Sequence, residues 1–219
     1  MSEHTGFPPI VSKQLLGWGL FWVRLEATGE GDEGLVRLRR EVGERARASY
    51  RLEDLAQHPT VAAVRKLFRE AGCDPTRWRP SSEALVRRVL KGEELPAILP
   101  LVDINNCLSL ELLVPACVMA AGTVRGKLTL RAGRPGETML SLRGPVSLEG
   151  KPLLADELGP FGTPITDSQR VKVTSDTTEA WLVAYLPQGV VSGDCVLQAL
   201  AYLLSEAPVA RVLATALVP

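Results

Sequence analysis

The first half of the chain has a helical rhythm. In "DEGLVRLRREVGERARASY" (32–50), Leu35, Leu38 and Val42 fall on one face and acidic residues lead, which predicts an amphipathic helix. "TVAAVRKLFREA" (60–71) predicts a second helix, ended by Gly72. "SSEALVRRVLKG" (81–92) predicts a third, with Ser81 or Ser82 as N-cap and Gly92 as stop. "LVDINNCLSLELLVP" (101–115) predicts a fourth. Before these, "LLGWGLFWVRLEAT" (15–28) is a run of aromatic and β-branched residues and predicts a strand, with a bulge at Gly17 or Gly19.

After about residue 124 the period shortens to two. "GKLTLRAG", "ETMLSLRG", "PVSLEGKPLLAD", "QRVKVTSD" and "AWLVAYLP" alternate between Gly and Pro punctuation, as antiparallel strands and turns do. "SGDCVLQALAYLLSEAP" (192–208) returns to helical spacing, and "ARVLATALVP" closes as a short packed apolar segment. Helices followed by strands, with no repeat or linker, predict one α+β domain over residues 1–219.

Charge and cysteine usage narrow the function. The 25 basic and 25 acidic residues cancel, which argues against nucleic-acid binding by bulk charge while allowing a local basic face. "MSEHTGFPP" has neither the basic region nor the apolar core of a secretory leader, and no apolar run has membrane-spanning length. Cys73, Cys107, Cys117 and Cys195 form no C-x-x-C pair and read as reduced cytosolic thiols. His4 and His58 are the only histidines, so histidine catalysis and metal binding leave the menu; no metal and no cofactor are expected.

Three polar side chains interrupt the fourth helix. Asp103, Asn105 and Asn106 sit among Leu101, Val102, Ile104, Leu108 and Leu110, where burial is costly unless each is satisfied. Asp103 is expected to cap the helix. The two carboxamides either tie down a loop or face a ligand.

Four blocks in order give the chain a specific resemblance. "GCDPTRWRPSSEALVRR" (72–88), "PLVDINN" (100–106), "GE" (136–137) and "ADELGPFGTPITDS" (155–168) resemble the editing module of the phenylalanyl-tRNA synthetase beta subunit, its third and fourth domains, and above all standalone proteins made of that module. The similarity spans about residues 60–186, and no aminoacylation motif accompanies it.

The resemblance implies an α+β fold with a β-sandwich-like core of antiparallel strands and packed helices. It implies a freestanding cytoplasmic hydrolase or binder of aminoacyl-tRNA that takes the tRNA 3′ end and its amino acid. In the synthetases this module hydrolyses tyrosine wrongly attached to phenylalanine tRNA. A pocket shaped for Phe rejects an analogue that merely adds a hydroxyl only weakly, so a second site is needed. A module that keeps the pocket without the chemistry is the alternative.

Carried over residue by residue, Asn105 and Asn106 match pocket-lining positions. "GPFGTPITDS" (159–168) matches a Gly-rich wall, making Gly159, Gly162 and Thr163 candidates; a tight turn in which Thr166 and Asp167 bond their own backbone is the plainer reading. Cys117 stands where the synthetases carry a histidine, which the standalone relatives usually lack too. It reads as a small buried hydrophobe unless its thiolate is stabilised. Arg77, Arg79, Arg87 and Arg88 either contact RNA phosphates or form a solvated face with salt bridges to Glu83 and Glu93. Trp78 either stacks on a base or packs in the core.

Overall fold

The computed structural model describes residues 6–29 and 32–219, so His4 lies outside the described residues. Strand β1 (Val11–Lys13) and strand β2 (Trp18–Ala27) precede four helices: α1 (Asp32–Ser49), α2 (Pro59–Glu70), α3 (Ser81–Leu90) and α4 (Pro100–Leu112). Seven strands follow: β3 (Ala116–Ala120), β4 (Leu128–Ala132), β5 (Thr138–Ser141), β6 (Gly144–Ser147), β7 (Pro152–Asp156), β8 (Gly159–Gly162) and β9 (Glu179–Pro187). Helix α5 (Gly193–Glu206) and strand β10 (Ala210–Val218) end the chain.

The strands form one sheet in the order β10-β2-β9-β3, a second in the order β1-β4-β7-β8, and the separate hairpin β5-β6. All pairings are antiparallel except β1 with β4. The fold is therefore α+β.

Period-two alternation sorts the first sheet into two cores. On β2, Phe21, Val23 and Leu25 enter a cluster with α1, α3, α4 and α5; Trp18, Leu20 and Trp22 enter another with β4, β7, β8 and α2. On β9, Leu182, Ala184 and Leu186 follow the first group, while Trp181, Val183 and Tyr185 follow the second. A sheet buried on both faces reads as a continuous apolar run, which is how "LFWV" and "WLVAYL" read. The order of layers is helices, sheet, sheet.

Three expectations need correction, and the packed closing segment takes the form of a strand. α3 starts at Ser81 and its N-cap is Pro80, with no side-chain cap. The Ser82 hydroxyl donates instead to the Leu113 carbonyl at 3.2 Å; the Ser81 N–H donates to the Pro164 carbonyl at 2.8 Å, while its hydroxyl has no partner among the described residues. "QRVKVTSD" forms a 3-10 turn over Gln169–Val171 and then an unpaired extended segment. The closing apolar segment is the edge strand β10, whose register against β2 shifts between Val212 and Ala214. Gly17 sits in the turn before β2 at φ +78, and β2 itself pairs with β9 without interruption.

Among the described residues no helix is long and apolar enough to cross a membrane.

Candidate functional site

A cavity of about 400 Å³ opens where α3 and α4 meet the start of β3 and the loop after β8. Asn105, Ser109, Ala116, Cys117, Val118, Thr163 and Val173 form its buried lining. The exposed cations Arg79, Arg88, Arg143 and Lys172 stand around it, and Asp167 is its one acidic lining residue. Arg143 comes from the two-residue turn of the β5-β6 hairpin, and Lys172 follows the 3-10 turn. A carboxylate inside a ring of cations gives the site two zones of opposite sign.

The α4–β3 connection explains the buried polar residues. α4 ends at Leu113 in the left-handed region, φ 55, a strained conformation for a branched side chain. Three side chains collect the carbonyls freed there. The Ser82 hydroxyl takes Leu113, the Ser109 hydroxyl takes Val114 at 2.8 Å, and the Asn105 amide takes Ala116 at 3.1 Å. Asn105 is thus a buried structural donor as well as a cavity residue. Its Oδ1 faces the other way and has no partner. Asn106 is half-buried, lines the cavity and bonds to nothing among the described residues.

Asp103 is not the N-cap of α4, which is Leu99. It lies one turn in and buried, where Oδ1 accepts from the Ile98 N–H at 2.9 Å and Oδ2 pairs with Arg39 of α1. The cap became a clamp because Pro100 at the first helical position already fixes the helix start.

The loop after β8 is organised by Thr163. Its Oγ1 accepts from the Ile165 N–H at 3.1 Å and the Thr166 N–H at 2.9 Å, and donates to the Thr166 carbonyl at 2.8 Å. That hydroxyl is committed to its own turn, so Thr163 supplies wall and not a free ligand contact. Gly162 is buried behind the lining: a Cβ there would stand 3.3 Å from Asp167 Oδ1 and 3.6 Å from the Tyr185 hydroxyl. Gly159 is away from the cavity, at φ +113 where β7 turns into β8. Its role is the turn, beside Asp156, which holds the Arg125 N–H, the Leu158 N–H and Arg170.

Cys117 donates to the Thr163 carbonyl at 3.4 Å. Burial pushes its thiol well above the ordinary value, and the neighbouring Asp167 carboxyl adds to the shift. The group stays protonated and is no nucleophile. Burial likewise raises the Asp167 carboxyl to about 7, with a smaller downward pull from Cys117. Oδ1 of Asp167 is out of water and unpartnered, although the residue keeps part of its surface open on the cavity side.

A raised carboxyl carries a stability signature. Between about pH 4 and 7 the folded state holds a proton that the unfolded chain has released, so stability falls as pH rises through that window. Asp167→Asn removes the effect. The variant is expected to match the wild type near pH 4 and to exceed it by a few kcal/mol, at most about 4, above pH 7. Urea unfolding at both pH values measures this, and equal stabilities at high pH would mean an ordinary, solvated carboxylate.

The arginines divide. Arg87 pairs with buried Glu83 at 2.8 Å, joined by Arg65 at 3.7 Å and Arg79 at 3.9 Å, and Arg88 pairs with Glu93 at 2.8 Å. Arg77 lies over Trp78 at 5.8 Å, and Lys151 covers the same ring at 3.8 Å. Trp78 is half-buried with a cation already on its face. Of the four, only Arg79 and Arg88 reach the cavity.

Of the polar and charged cavity residues, Ser109, Arg143 and Lys172 were not singled out from sequence, and Ser81 was read only as a helix cap. Arg143 sits in a hairpin turn and Lys172 in an alternating segment, where a lone basic residue is unremarked. His58 packs edge-on against Tyr50 at 5.4 Å and is not a lining residue. Among the described residues no cluster of His, Cys, Asp or Glu suited to a metal is present.

Residues 63–194 match the family model described as the B3/4 domain. Among solved structures, an N-terminal fragment of the phenylalanyl-tRNA synthetase beta subunit from Pyrococcus horikoshii is similar, with 12% identity and a TM-score of 0.48. That similarity covers 100% of this chain and 56% of the other, so this chain spans little more than half the length of the archaeal fragment. No curated protein sequence matches.

Proposed function

The chain belongs to the B3/4 domain family, a tRNA-synthetase-related module, and we propose that its cavity receives the aminoacylated 3′ end of a tRNA and hydrolyses the ester of a wrongly attached amino acid. Tyrosine on phenylalanine tRNA is the pattern the resemblance implies. We place the activity in the cytoplasm, among charged tRNAs, and treat residues 1–219 as one folding unit because β2 and β9 belong to both cores.

The observation that carries this reading is the two-zone charge of the cavity. Arg79, Arg88, Arg143 and Lys172 suit the phosphates of an acceptor end, while the interior offers Asn105, Asn106 and Asp167 to a small polar ligand. Aminoacyl esters are already activated. Water adds to the carbonyl carbon, the ester C–O bond breaks, and the proton released by the water ends on the departing ribose oxygen. A site that orients ester and water and donates to the developing oxyanion suffices. Asn106, with its amide uncommitted, is placed to donate that bond.

A binding module without hydrolysis is the second reading. It is favoured by the protonated state of Cys117 and by the lack of histidine among the described cavity residues.

Deacylation assays separate the two. Mischarged tRNA is expected to decay faster with the protein present, and correctly charged tRNA to be spared. Protection of the ester would support the binding module, and an unchanged half-life with no retention on the protein would remove both. Uncharged tRNA should bind weakly and lose affinity as salt rises, since only about four rim cations take part.

A further inference from the structure

We infer that the cavity recognises a free ammonium group, held by Asp167 Oδ1 and Asn105 Oδ1, so that the amino acid it accepts carries an unblocked α-amine.

The inference rests on the reading of the cavity as an aminoacyl-ester site and adds what part of the ester is read. Among the described lining residues three buried side-chain oxygens lack a partner: the Ser81 hydroxyl, which can donate as well as accept, and two pure acceptors, Oδ1 of Asp167 and Oδ1 of Asn105. The residues are neighbours through one strand. Asn105 is bonded to the Ala116 carbonyl, and the next residue, Cys117, packs its sulfur against Asp167. Gly162 brings the backbone close behind Asp167, where a Cβ would crowd Oδ1. The fold thus presses a carboxylate into a dry corner and gives it no cation.

Unpaired buried acceptors are costly, and a carboxylate most of all. A ligand that satisfies both must bring at least two donors and preferably a positive charge. An ammonium brings three N–H donors and no acceptor. A neutral amide or hydroxyl brings fewer and leaves the charge unpaired.

The groups that face Asp167 are the Cys117 thiol on β3 and the Tyr185 hydroxyl on β9, both pushed upward by burial and neutral near pH 7. The cations Arg79, Arg88, Arg143 and Lys172 stand exposed around the cavity, and none of them forms an ion pair with Asp167 among the described residues. With its carboxyl titrating near 7, Asp167 waits in a partly protonated state that an arriving cation converts to the ion.

The test is binding, which is independent of hydrolysis. Three probes are used: the non-hydrolysable amide analogue of 3′-tyrosyl-adenosine, its N-acetyl derivative, and tyramine. The free-amine analogue is expected to bind about tenfold or more tightly than the N-acetyl form near pH 7.5. The preference should shrink towards pH 5.5 as Asp167 takes up its proton, and should fall again above about pH 8 as the α-amine loses its own. Tyramine, whose alkylamine stays charged to about pH 10, should show the rise without the fall.

Asp167→Asn should reduce the preference to within about twofold, and a cooperative urea transition reports that the variant folds. Equal binding of the free and N-acetyl analogues, as hydration of the two acceptors would give, overturns the inference and leaves the aminoacyl-end reading in place. So does a preference that survives in Asp167→Asn. Tyramine binding through Asp167 without either adenosine analogue would keep the ammonium site and remove the tRNA-end reading. Binding of none of the three removes both.

Discussion

Asp103→Ala is expected to lower the stability of the fold by about 3 kcal/mol, several times the loss of an ordinary helix cap. The reason is geometric. Asp103 is buried, and it joins three pieces of chain: α4, which carries it; the strap before α4, through the Ile98 N–H at 2.9 Å; and α1, through Arg39. Alanine removes the partner of the Ile98 N–H and strands a guanidinium whose side chain is only 16% exposed. Removing one partner of such a pair costs more than the pair is worth, because the other charge remains desolvated. Asp103→Asn should lose less, since a carboxamide oxygen still accepts from Ile98. Arg39→Leu placed on top of Asp103→Ala should recover part of the loss. Urea unfolding of the wild type, Asp103→Ala, Arg39→Leu and the double variant measures the cycle. A loss near 1 kcal/mol for Asp103→Ala, with additive double-mutant behaviour, would return Asp103 to the rank of a simple cap.

The periodic elements were legible because their burial is one-sided or complete. α1 to α5 carry an apolar stripe, and β2 over residues 18–23 and β9 over residues 180–186 are apolar since both of their faces are covered there. What escaped was short or irregular. β3, "ACVMA", is buried on both faces and follows Pro115, so five apolar residues show no alternation to distinguish strand from helix end. β10 hides behind its register shift at Val212–Ala214, which breaks the period. In "QRVKVTSD" the alternation is real, for Val171 and Val173 are buried and Lys172 is exposed, but no strand lies beside it. Alternation reports which side faces a core, and a ladder needs a neighbour that local sequence does not show.

The site divides by the same logic. Parts of two motif blocks converge: Asn105, Asn106 and Thr163 line one cavity, together with Cys117. Much of each block is nevertheless scaffold. Glu83 gathers arginines, Asp156 holds Arg170, and Glu137 takes Arg131 through two bonds of 2.8 and 2.7 Å. A string of closely spaced polar residues reads as chemistry, yet a carboxylate buried beside a guanidinium gives the same string. Asp167 shows the converse. Beside a turn it reads as a residue bonding its own backbone, and only the third dimension places its Oδ1 unpartnered against Cys117.

Asn105 and Asn106, adjacent and chemically identical, are expected to answer mutation in opposite ways. Asn105→Ala should cost about 1–3 kcal/mol, because the Ala116 carbonyl at the head of β3 loses its 3.1 Å partner inside the protein. Binding should fall with it, since Ala116 and Cys117 line the cavity and lose their tether. Asn106 makes no such bond, is half-buried and opens on the cavity, so Asn106→Ala should change stability by no more than about 0.5 kcal/mol. Its effect should appear in function instead: a roughly tenfold or greater loss of deacylation, or of affinity for the tyrosyl-adenosine amide, corresponding to the ~1.4 kcal/mol of one polar contact. Asn105→Asp sharpens the contrast, for a carboxylate cannot donate to Ala116 and should destabilise at least as much as Ala. Thermal melts read beside deacylation rates decide the matter. Two variants that melt alike and act alike would mean that both carboxamides serve the loop. A stable Asn106→Ala with full activity would mean that the amide donor of the site is another group.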